Sequence, residues 1–223
     1  EDCRVWAYAI CDVYDPDSVR YGTSMDEFIY DIDELAPCKL YFHNLAFDCV
    51  FIFDYILNAG MEWTDARTPG LGQFTTLISD MNQVYSVELC LPGGVVTIWD
   101  SLKLIPLSIA NEAKAFGLPE SKGELDYHAY RSPDHVLTAD EIDYIRRDVQ
   151  IDAMALKQMF DADMEKMTIG ACALSEYRSL VGNAKRFRKI FPLLTKEEDE
   201  VMRKAYKGGW VYANPKYAGQ TMG

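Results

Sequence analysis

Two aspartates, Asp48 and Asp148, have surroundings that suit the binding of a divalent metal ion. Asp48 falls within residues 41–55 (YFHNLAFDCVFIFDY), a segment otherwise suited to burial. A charged carboxylate beside an apolar core is unfavourable unless it is paired or bound to a metal. Asp148 follows Tyr144 by four residues, so on a helix the phenol and the carboxylate would share one face. Taken alone, this second pair also fits a structural contact or a solvated surface.

Carboxylates and a tyrosine in this pattern suit the hydrolysis of a phosphodiester. That reaction needs the phosphate charge neutralised and a water activated, and two divalent ions roughly 3.5 to 4 Å apart achieve both when carboxylates hold them. Mg²⁺ prefers oxygen ligands, so aspartates suffice and histidines are not required. Tyr144, one helical turn from Asp148, would hold the attacking water.

Hydrophobic periodicity predicts the elements that would position these residues. Asp48 would lie near the start of a helix, where the helix dipole favours an anionic ligand. Asp148 would lie on a long helix that opens with a capping box, Thr138 to Glu141. The predicted order is a strand at 4–13, a helix at 24–35 with Ser24 as N-cap, a strand at 39–43, and helices at 47–58, 108–116 and 138–164.

Three short strands, at residues 74–79, 83–90 and 95–99, are expected between these helices. Pro92-Gly93-Gly94 is the clearest hairpin signal among them. Strands that alternate with helices, with a small antiparallel element added, predict the α/β class.

Charge is distributed unevenly along the chain. The net charge of −13 alone argues against a nucleic-acid partner, but residues 1–177 hold 31 acids and 12 bases, whereas residues 178–207 hold nine bases and four acids. The basic stretch is either a solvated helix surface or a phosphate-contacting segment.

No apolar run approaches the roughly 18 to 20 residues of a membrane span, so no membrane partner is expected. The six cysteines lack a CxxC pair or zinc-ligand spacing, and they are interpreted as buried thiols of a cytoplasmic protein, in a host cytoplasm if the source is viral.

Five motifs in order resemble those of family B DNA polymerases, in the form used by protein-primed members that replicate linear phage and plasmid genomes. Phe42 to Asp48 (FHNLAFD) resembles the second exonuclease motif, and Tyr144-x-x-x-Asp148 resembles the third. The other three are similar to a single-stranded-DNA element, a catalytic-lysine element and the Tyr-x-Gly-Gly element before the polymerase module: Asp100-Ser-Leu-Lys103, Lys122-Gly-Glu-Leu-Asp-Tyr127 and Tyr206-Lys-Gly-Gly209.

The resemblance implies a ribonuclease H-like 3′–5′ exonuclease fold, a mixed sheet flanked by helices, and roles for individual residues. Asp48 and Asp148 would bind Mg²⁺ or Mn²⁺, Tyr144 would orient the water and Lys122 would stabilise phosphate charge. Contacts to DNA would come from His43, Asn44, Phe47, Phe51, Ser101, Leu102, Tyr127, Tyr206, Gly208 and Gly209. Without the resemblance, Phe47 and Phe51 also fit core positions, His43 a turn and Lys122 a solvated loop.

The resemblance further implies an exonuclease domain at residues 1–177 and a basic helical connection with the Tyr-x-Gly-Gly linker at residues 178–223. The implied partners are single-stranded and primer-template DNA and a terminal-protein primer. Two alternatives stay open: a free-standing DEDD-type exonuclease, and a non-catalytic module that binds single-stranded DNA or the terminal protein.

The family's first exonuclease motif, Asp-x-Glu on a central first strand, has no counterpart here, since Asp31-Ile-Asp33-Glu34 falls in a helical stretch. We therefore expect a fragment that begins after this strand and ends before the polymerase motifs. Loss of the strand would leave unpaired edges and lower stability, and loss of its carboxylates would weaken metal binding and hydrolysis.

Overall fold

A mixed five-stranded sheet is the larger of the two sheets among the described residues. The computed structural model describes residues 4–119, 121–126, 128–132 and 134–205. The strand order is β3-β7-β6-β5-β4; β3 pairs with β7 and β4 with β5 in parallel, and the other neighbours are antiparallel. The strands are β3 (Cys38–Phe42), β4 (Glu62–Trp63), β5 (Gln73–Ile78), β6 (Val84–Leu91) and β7 (Gly94–Asp100). The α/β class is confirmed.

The first two strands form a separate antiparallel pair, β1 (Tyr8–Cys11) and β2 (Val19–Gly22). The predicted strand at residues 4–13 was too long, and β2 was not predicted because four residues with two exposed side chains give little periodicity. β3 is an edge strand of the five-stranded sheet. Whether a further central strand belongs in this fold stays a prediction.

Two helices, α1 (Met25–Leu35) and α2 (Leu45–Asn58), bury one stripe each in the main apolar core. In α1 the buried residues Phe28 and Ile32 are one turn apart, as the sequence predicted. Ser24 caps this helix by accepting a hydrogen bond from the Glu27 N–H at 3.2 Å. The buried stripe of α2 consists of Leu45, Cys49, Ile52 and Ile56. The residues between them, Asp48 included, face away from the centre of the main core.

Two further helices follow a short 3₁₀ turn at Ser101–Lys103: α3 (Ile109–Ala115) and α4 (Ala139–Asp161). Thr138 and Glu141 form both bonds of the capping box that the sequence predicts at the start of α4. The helix ends at Asp161, three residues before the predicted end. Leu104, Ile105, Ala155 and Leu156 form a second buried cluster around these elements.

The chain divides into two compact units, Glu1–Ala173 and Leu174–Gly223. The division falls within α5 (Ile169–Val181), and α6 (Ala184–Ile190) and α7 (Lys196–Ala205) follow. In the second unit the rings of Tyr177, Phe187 and Phe191 pack together with centroids 5.0 to 6.0 Å apart. The predicted domain boundary after residue 177 also falls within α5, and it stays a prediction.

Among the described residues, none of the helices is long and apolar enough to cross a bilayer. The five described cysteines are free, but only Cys49 and Cys172 are buried, which corrects the prediction that all are buried thiols. Cys38 lies on the edge strand β3, where it packs against the main core and stays partly exposed; Cys11 and Cys90 are also partly exposed.

Candidate active site

The link between β3 and α2 consists of His43 and Asn44. Asn44 is the N-cap of α2 and has left-handed backbone angles, φ 69° and ψ 53°. Asparagine tolerates this conformation better than most residues, because its short polar side chain can interact with the neighbouring backbone. The tight link brings His43 and the first turn of α2 to the end of β3.

Substitution of Asn44 separates backbone strain from side-chain contacts, because its side chain is exposed and makes no capping hydrogen bond. We expect Asn44→Gly to leave the free energy of unfolding within a few tenths of a kcal/mol of the original. Asn44→Ala should lower it by roughly 1 kcal/mol, since a Cβ without the asparagine amide disfavours positive φ. Urea unfolding of both variants measures the difference, and equal stabilities would contradict the strain argument.

A buried carboxylate, Asp100, holds this link against the end of β7. Phe42 and Asp100 are partners in the parallel β3–β7 pair, so both strands end at the same edge of the sheet. Asp100 Oδ1 accepts hydrogen bonds from the backbone N–H groups of Asn44, at 3.0 Å, and Leu102, at 3.1 Å. Its Oδ2 lies 3.6 Å from Lys103 Nζ. Asp100 therefore connects two of the predicted motifs.

Asp48 lies in the first turn of α2 and is partly buried. Burial raises the pKa of Asp48 to about 6, with a further contribution from the negative charge of Asp100. A carboxylate whose ionised form is disfavoured in this way gains from a nearby cation, which supports the prediction of a metal ligand at this position.

Three predicted catalytic residues lie together on α4 and the loop before it. Lys122 Nζ is 3.4 Å from Asp148 Oδ2 and 5.6 Å from the centre of the Tyr144 ring. Burial raises the pKa of Asp148, while the positive charge of Lys122 and a hydrogen bond with Tyr144 oppose that rise. Tyr144 itself is buried. The helical spacing that the sequence suggested therefore does bring phenol and carboxylate together.

The His43 ring interacts electrostatically with charged groups at the end of β7 and around α4. Burial lowers its pKa, and the charges of Asp100, Lys122 and Asp148 all act on the ring. The motif at the β3–α2 link and the motif on α4 thus lie within electrostatic range of one side chain.

The donor set of this site fits Mg²⁺ or Mn²⁺. Asp48 and Asp148 supply carboxylate oxygens, the ligands that hard divalent cations prefer. Asp148 Oδ1 is buried and has no hydrogen-bond partner among the described residues. An ionised oxygen in that condition is unfavourable unless a cation or water completes its coordination.

The predicted DNA-contacting residues fall into three groups. Phe47 is 65% exposed and makes an edge contact with the Phe51 ring, 6.0 Å between centroids, so Phe47 is not a core residue. Ser101 is fully buried, and its hydroxyl lies 3.3 Å from His43 Nδ1; Leu102 is partly exposed in the same 3₁₀ turn. Outside the described residues lie Tyr127, Tyr206, Gly208 and Gly209.

The structure adds three acidic residues to which the sequence analysis gave no role: Asp100, which begins the Asp100-Ser-Leu-Lys103 motif, Glu112 and Asp152. Glu112 and Asp152 are buried and lie with His43 in a cluster whose potential ligand atoms are all within 4.8 Å of one another. A signal existed for Glu112, since Ile109, Glu112 and Ala113 form the buried stripe of α3 and the acid occupies an apolar position. Asp152, one turn after Asp148 on α4, offered a similar signal.

Glu141 anchors the loop that carries Lys122. Arg131 Nε donates to Glu141 Oε1 and His135 Nε2 contacts Oε2, both at 2.7 Å. Burial alone would raise the pKa of Glu141, but hydrogen bonds from Thr138, His135 and Arg131 lower it to about 2. These bonds hold Arg131, His135 and Thr138 against the start of α4.

The depressed pKa of Glu141 predicts a specific loss of stability in acid. Because the unfolded carboxyl titrates near its usual value of about 4.5, the ionised form stabilises the fold fully above that pH. This contribution should disappear as pH falls from about 4.5 to about 2. Glu141→Gln should be less stable at pH 7 and show a shallower decline over that window. Unfolding curves at stepped pH provide the measurement, and parallel declines would contradict the assignment.

Comparison with known proteins shows that this chain is similar to DNA polymerases. A family model described as DNA polymerase type B, organellar and viral, matches residues 34–139 and 129–222. The DNA polymerase of Bacillus phage B103 is 36% identical over an alignment of 228 residues, and that of Streptococcus phage Cp-1 is 30% identical over 237 residues. Each match includes all of this chain, which spans about 39% of the length of these curated relatives.

Solved structures of phi29 DNA polymerase match this chain over nearly its whole length. The complex with primer-template DNA and incoming nucleotide has a TM-score of 0.88 at 35% identity, covering 97% of this chain and 38% of that one. The complex with single-stranded DNA also has a TM-score of 0.88 at 35% identity, with 96% and 38% covered.

Proposed function

Because the chain belongs to the type B DNA polymerases of organelles and viruses, we propose that it is the proofreading 3′–5′ exonuclease domain of a DNA polymerase that replicates DNA by protein priming. The observation that carries this proposal is the contact of Lys122 with Asp148 beside Tyr144, at 3.4 Å between Nζ and Oδ2. A cation, a carboxylate and a phenol in contact can together offset phosphate charge, bind a metal ion and orient a water, which are the tasks of phosphodiester hydrolysis.

Each of these residues has a role that follows from its chemistry. Asp48 and Asp148 would hold Mg²⁺ or Mn²⁺, which when bound neutralises phosphate charge and lowers the pKa of water. Tyr144, hydrogen-bonded to Asp148, would orient the attacking water through its phenol. Lys122 would offset the negative charge that builds up on the phosphate as the bond breaks. Burial of the carboxylates strengthens these charge interactions relative to open water.

The single-stranded 3′ end would be held by groups at the β3–α2 link and the 3₁₀ turn. Phe47, exposed beside Phe51, offers a ring face on which a base can stack, and stacking accepts any base. His43, Asn44, Leu102 and Tyr127 would position the sugar and phosphate, whereas Ser101, which is fully buried, would act through its contact with the His43 ring. A proofreading exonuclease must accept any base at the mismatched 3′ end, so a contact that does not depend on base identity suits it.

Residues 178–223 would connect the exonuclease to a polymerase module. Helix α6 carries four bases and no acid, which favours phosphate contact, whereas α7 carries four acids and three bases. Tyr206, Gly208 and Gly209 would guide primer-template DNA between the two sites. A terminal protein would be the priming partner, and the protein would work in the cytoplasm of the host cell.

Degradation of a 5′-labelled single-stranded oligonucleotide by the full-length polymerase tests the proposal. With Mg²⁺ we expect a ladder of products shortened from the 3′ end, and a chelator should abolish it. Salt-sensitive binding without cleavage would contradict the proposal and favour the non-catalytic binding module.

A further inference from the structure

A buried acidic pair, Glu112 on α3 and Asp152 on α4, is not used by the proposed exonuclease chemistry. Glu112 is fully buried and the Asp152 side chain is 11% exposed. His43 Nδ1 lies 3.3 Å from Glu112 Oε1 and 4.0 Å from Asp152 Oδ1. Three elements distant in sequence therefore converge on one point.

The acidic pair lacks the partners that two buried carboxylates need. Among the described residues, neither oxygen of Glu112 has a hydrogen-bond partner, and Asp152 Oδ1 has none either. Burial raises the pKa of both carboxyls, and the charge of Asp152 adds to the effect on Glu112. Leaving such groups uncompensated is strongly destabilising, so either a proton or a cation must occupy the space between them.

The distances match a small tetrahedral ion better than a proton alone. Zinc bonds of 2.0 to 2.1 Å place neighbouring ligand atoms about 3.3 Å apart. The His43–Glu112 separation already has this value, and the His43–Asp152 separation exceeds it by less than an ångström. A shared proton accounts only for the contact between the two carboxyls, whereas one metal ion accounts for the approach of all three ligand atoms, His43 Nδ1 included.

Outer contacts orient two of the three side chains as they do in metal sites. Ser101 Oγ donates a hydrogen bond to Asp152 Oδ2 at 3.1 Å, which leaves Oδ1 directed at the ring. The His43 ring also has a hydrogen bond with the Leu107 backbone. Metal-binding histidines typically make such a hydrogen bond to a backbone carbonyl with the ring nitrogen that does not bind the ion.

We infer that His43, Glu112 and Asp152 bind one divalent transition-metal ion, of which zinc is the best match. One imidazole and two carboxylates suit zinc, whereas Mg²⁺ would take oxygen ligands with several waters. The site differs in ligands from the all-oxygen pair Asp48 and Asp148. The His43 side chain is 18% exposed, so the ion and a completing water can enter from that side.

Zinc titration of the full-length protein tests the inference, in a background with Asp48→Asn and Asp148→Asn so that those carboxylates do not contribute. Bound metal is first removed with a chelator, zinc is then added, and the excess is removed by dialysis. We expect this protein to retain one more zinc per chain than the same protein with Glu112→Gln and Asp152→Asn. Zinc should raise its melting temperature, and X-ray absorption should report one imidazole in the first coordination sphere. His43→Gln, at a partly exposed position, should lower zinc affinity at least tenfold with the acidic pair intact.

Three outcomes would overturn the inference. Equal zinc content in the two proteins would do so, as would unchanged zinc affinity in His43→Gln. A stability that responds to pH through the acidic pair but not to zinc would show that the carboxyls share a proton instead. Because zinc content is measured without any nuclease assay, failure here is distinguishable from failure of the exonuclease proposal.

Discussion

Replacement of Asp148 by Asn should lower the rate of 3′-end hydrolysis by about a hundredfold or more. The side chain keeps its size, but the neutral amide removes the charge that Lys122 contacts and that a divalent ion would need. Changes to groups that merely support a metal ligand already lower affinity or activity 10 to 100-fold, so loss of a ligand should have at least the larger effect. Single-turnover degradation of a labelled single strand by the full-length polymerase measures it.

Asp143→Asn provides a matched control on the same helix. Asp143 pairs with Arg147 at 2.8 Å near the surface and takes no part in the site. We expect this variant to degrade DNA at the original rate. Asp148→Asn should meanwhile bind single-stranded DNA as well as the original protein does, since it reduces negative charge. Equal hydrolysis rates in the two variants would contradict the role assigned to Asp148.

Replacement of Asp100 by Ala should be among the most destabilising single changes in the chain. The substitution leaves the N–H groups of Asn44 and Leu102 without their acceptor in a partly buried setting. Each orphaned donor costs about 1 to 3 kcal/mol, so the free energy of unfolding should fall by roughly 2 to 6 kcal/mol. Urea unfolding, followed by circular dichroism, gives the value.

Asp100→Asn is the control for that experiment. Its amide oxygen can accept the same two hydrogen bonds, so it should recover most of the stability. It removes the charge that contacts Lys103 and that helps to raise the pKa of Asp48. If Ala and Asn prove equally destabilising, the two backbone bonds are not the reason for the burial of Asp100.

Helices α1 to α4 and the central strands could be predicted from the sequence because each has a strong local signal, whereas α5 to α7 were not predicted individually. Ser24 and Thr138 mark helix starts by a capping geometry that needs only a few neighbouring residues. The hairpin loop at Pro92 and Gly93 likewise follows from local turn chemistry, with Leu91 and Gly94 as the first pair. The fold class and the resemblance to family B polymerases could be predicted for the same reason, since the motifs are local, and both are confirmed.

The residues that the sequence analysis missed depend on contacts between distant segments. The importance of Asp100 becomes visible only when β3 and β7 pair in parallel, which brings Asn44 to its carboxylate across 56 positions of sequence. The acidic pair requires α3 and α4 to pack, and His43 joins it from the end of β3. Periodicity indicates that a side chain is buried, but not which other charge it meets.

Anomalous diffraction from crystals of the full-length polymerase, grown with Mn²⁺ and a single-stranded oligonucleotide, tests the central proposal most directly. We expect a manganese peak within bonding distance of Asp48 and Asp148, with the 3′-terminal phosphate against it and Lys122 and Tyr144 beside that phosphate. A 3′ end and manganese bound elsewhere, with both carboxylates free of metal, would contradict the assignment of this chain as the exonuclease.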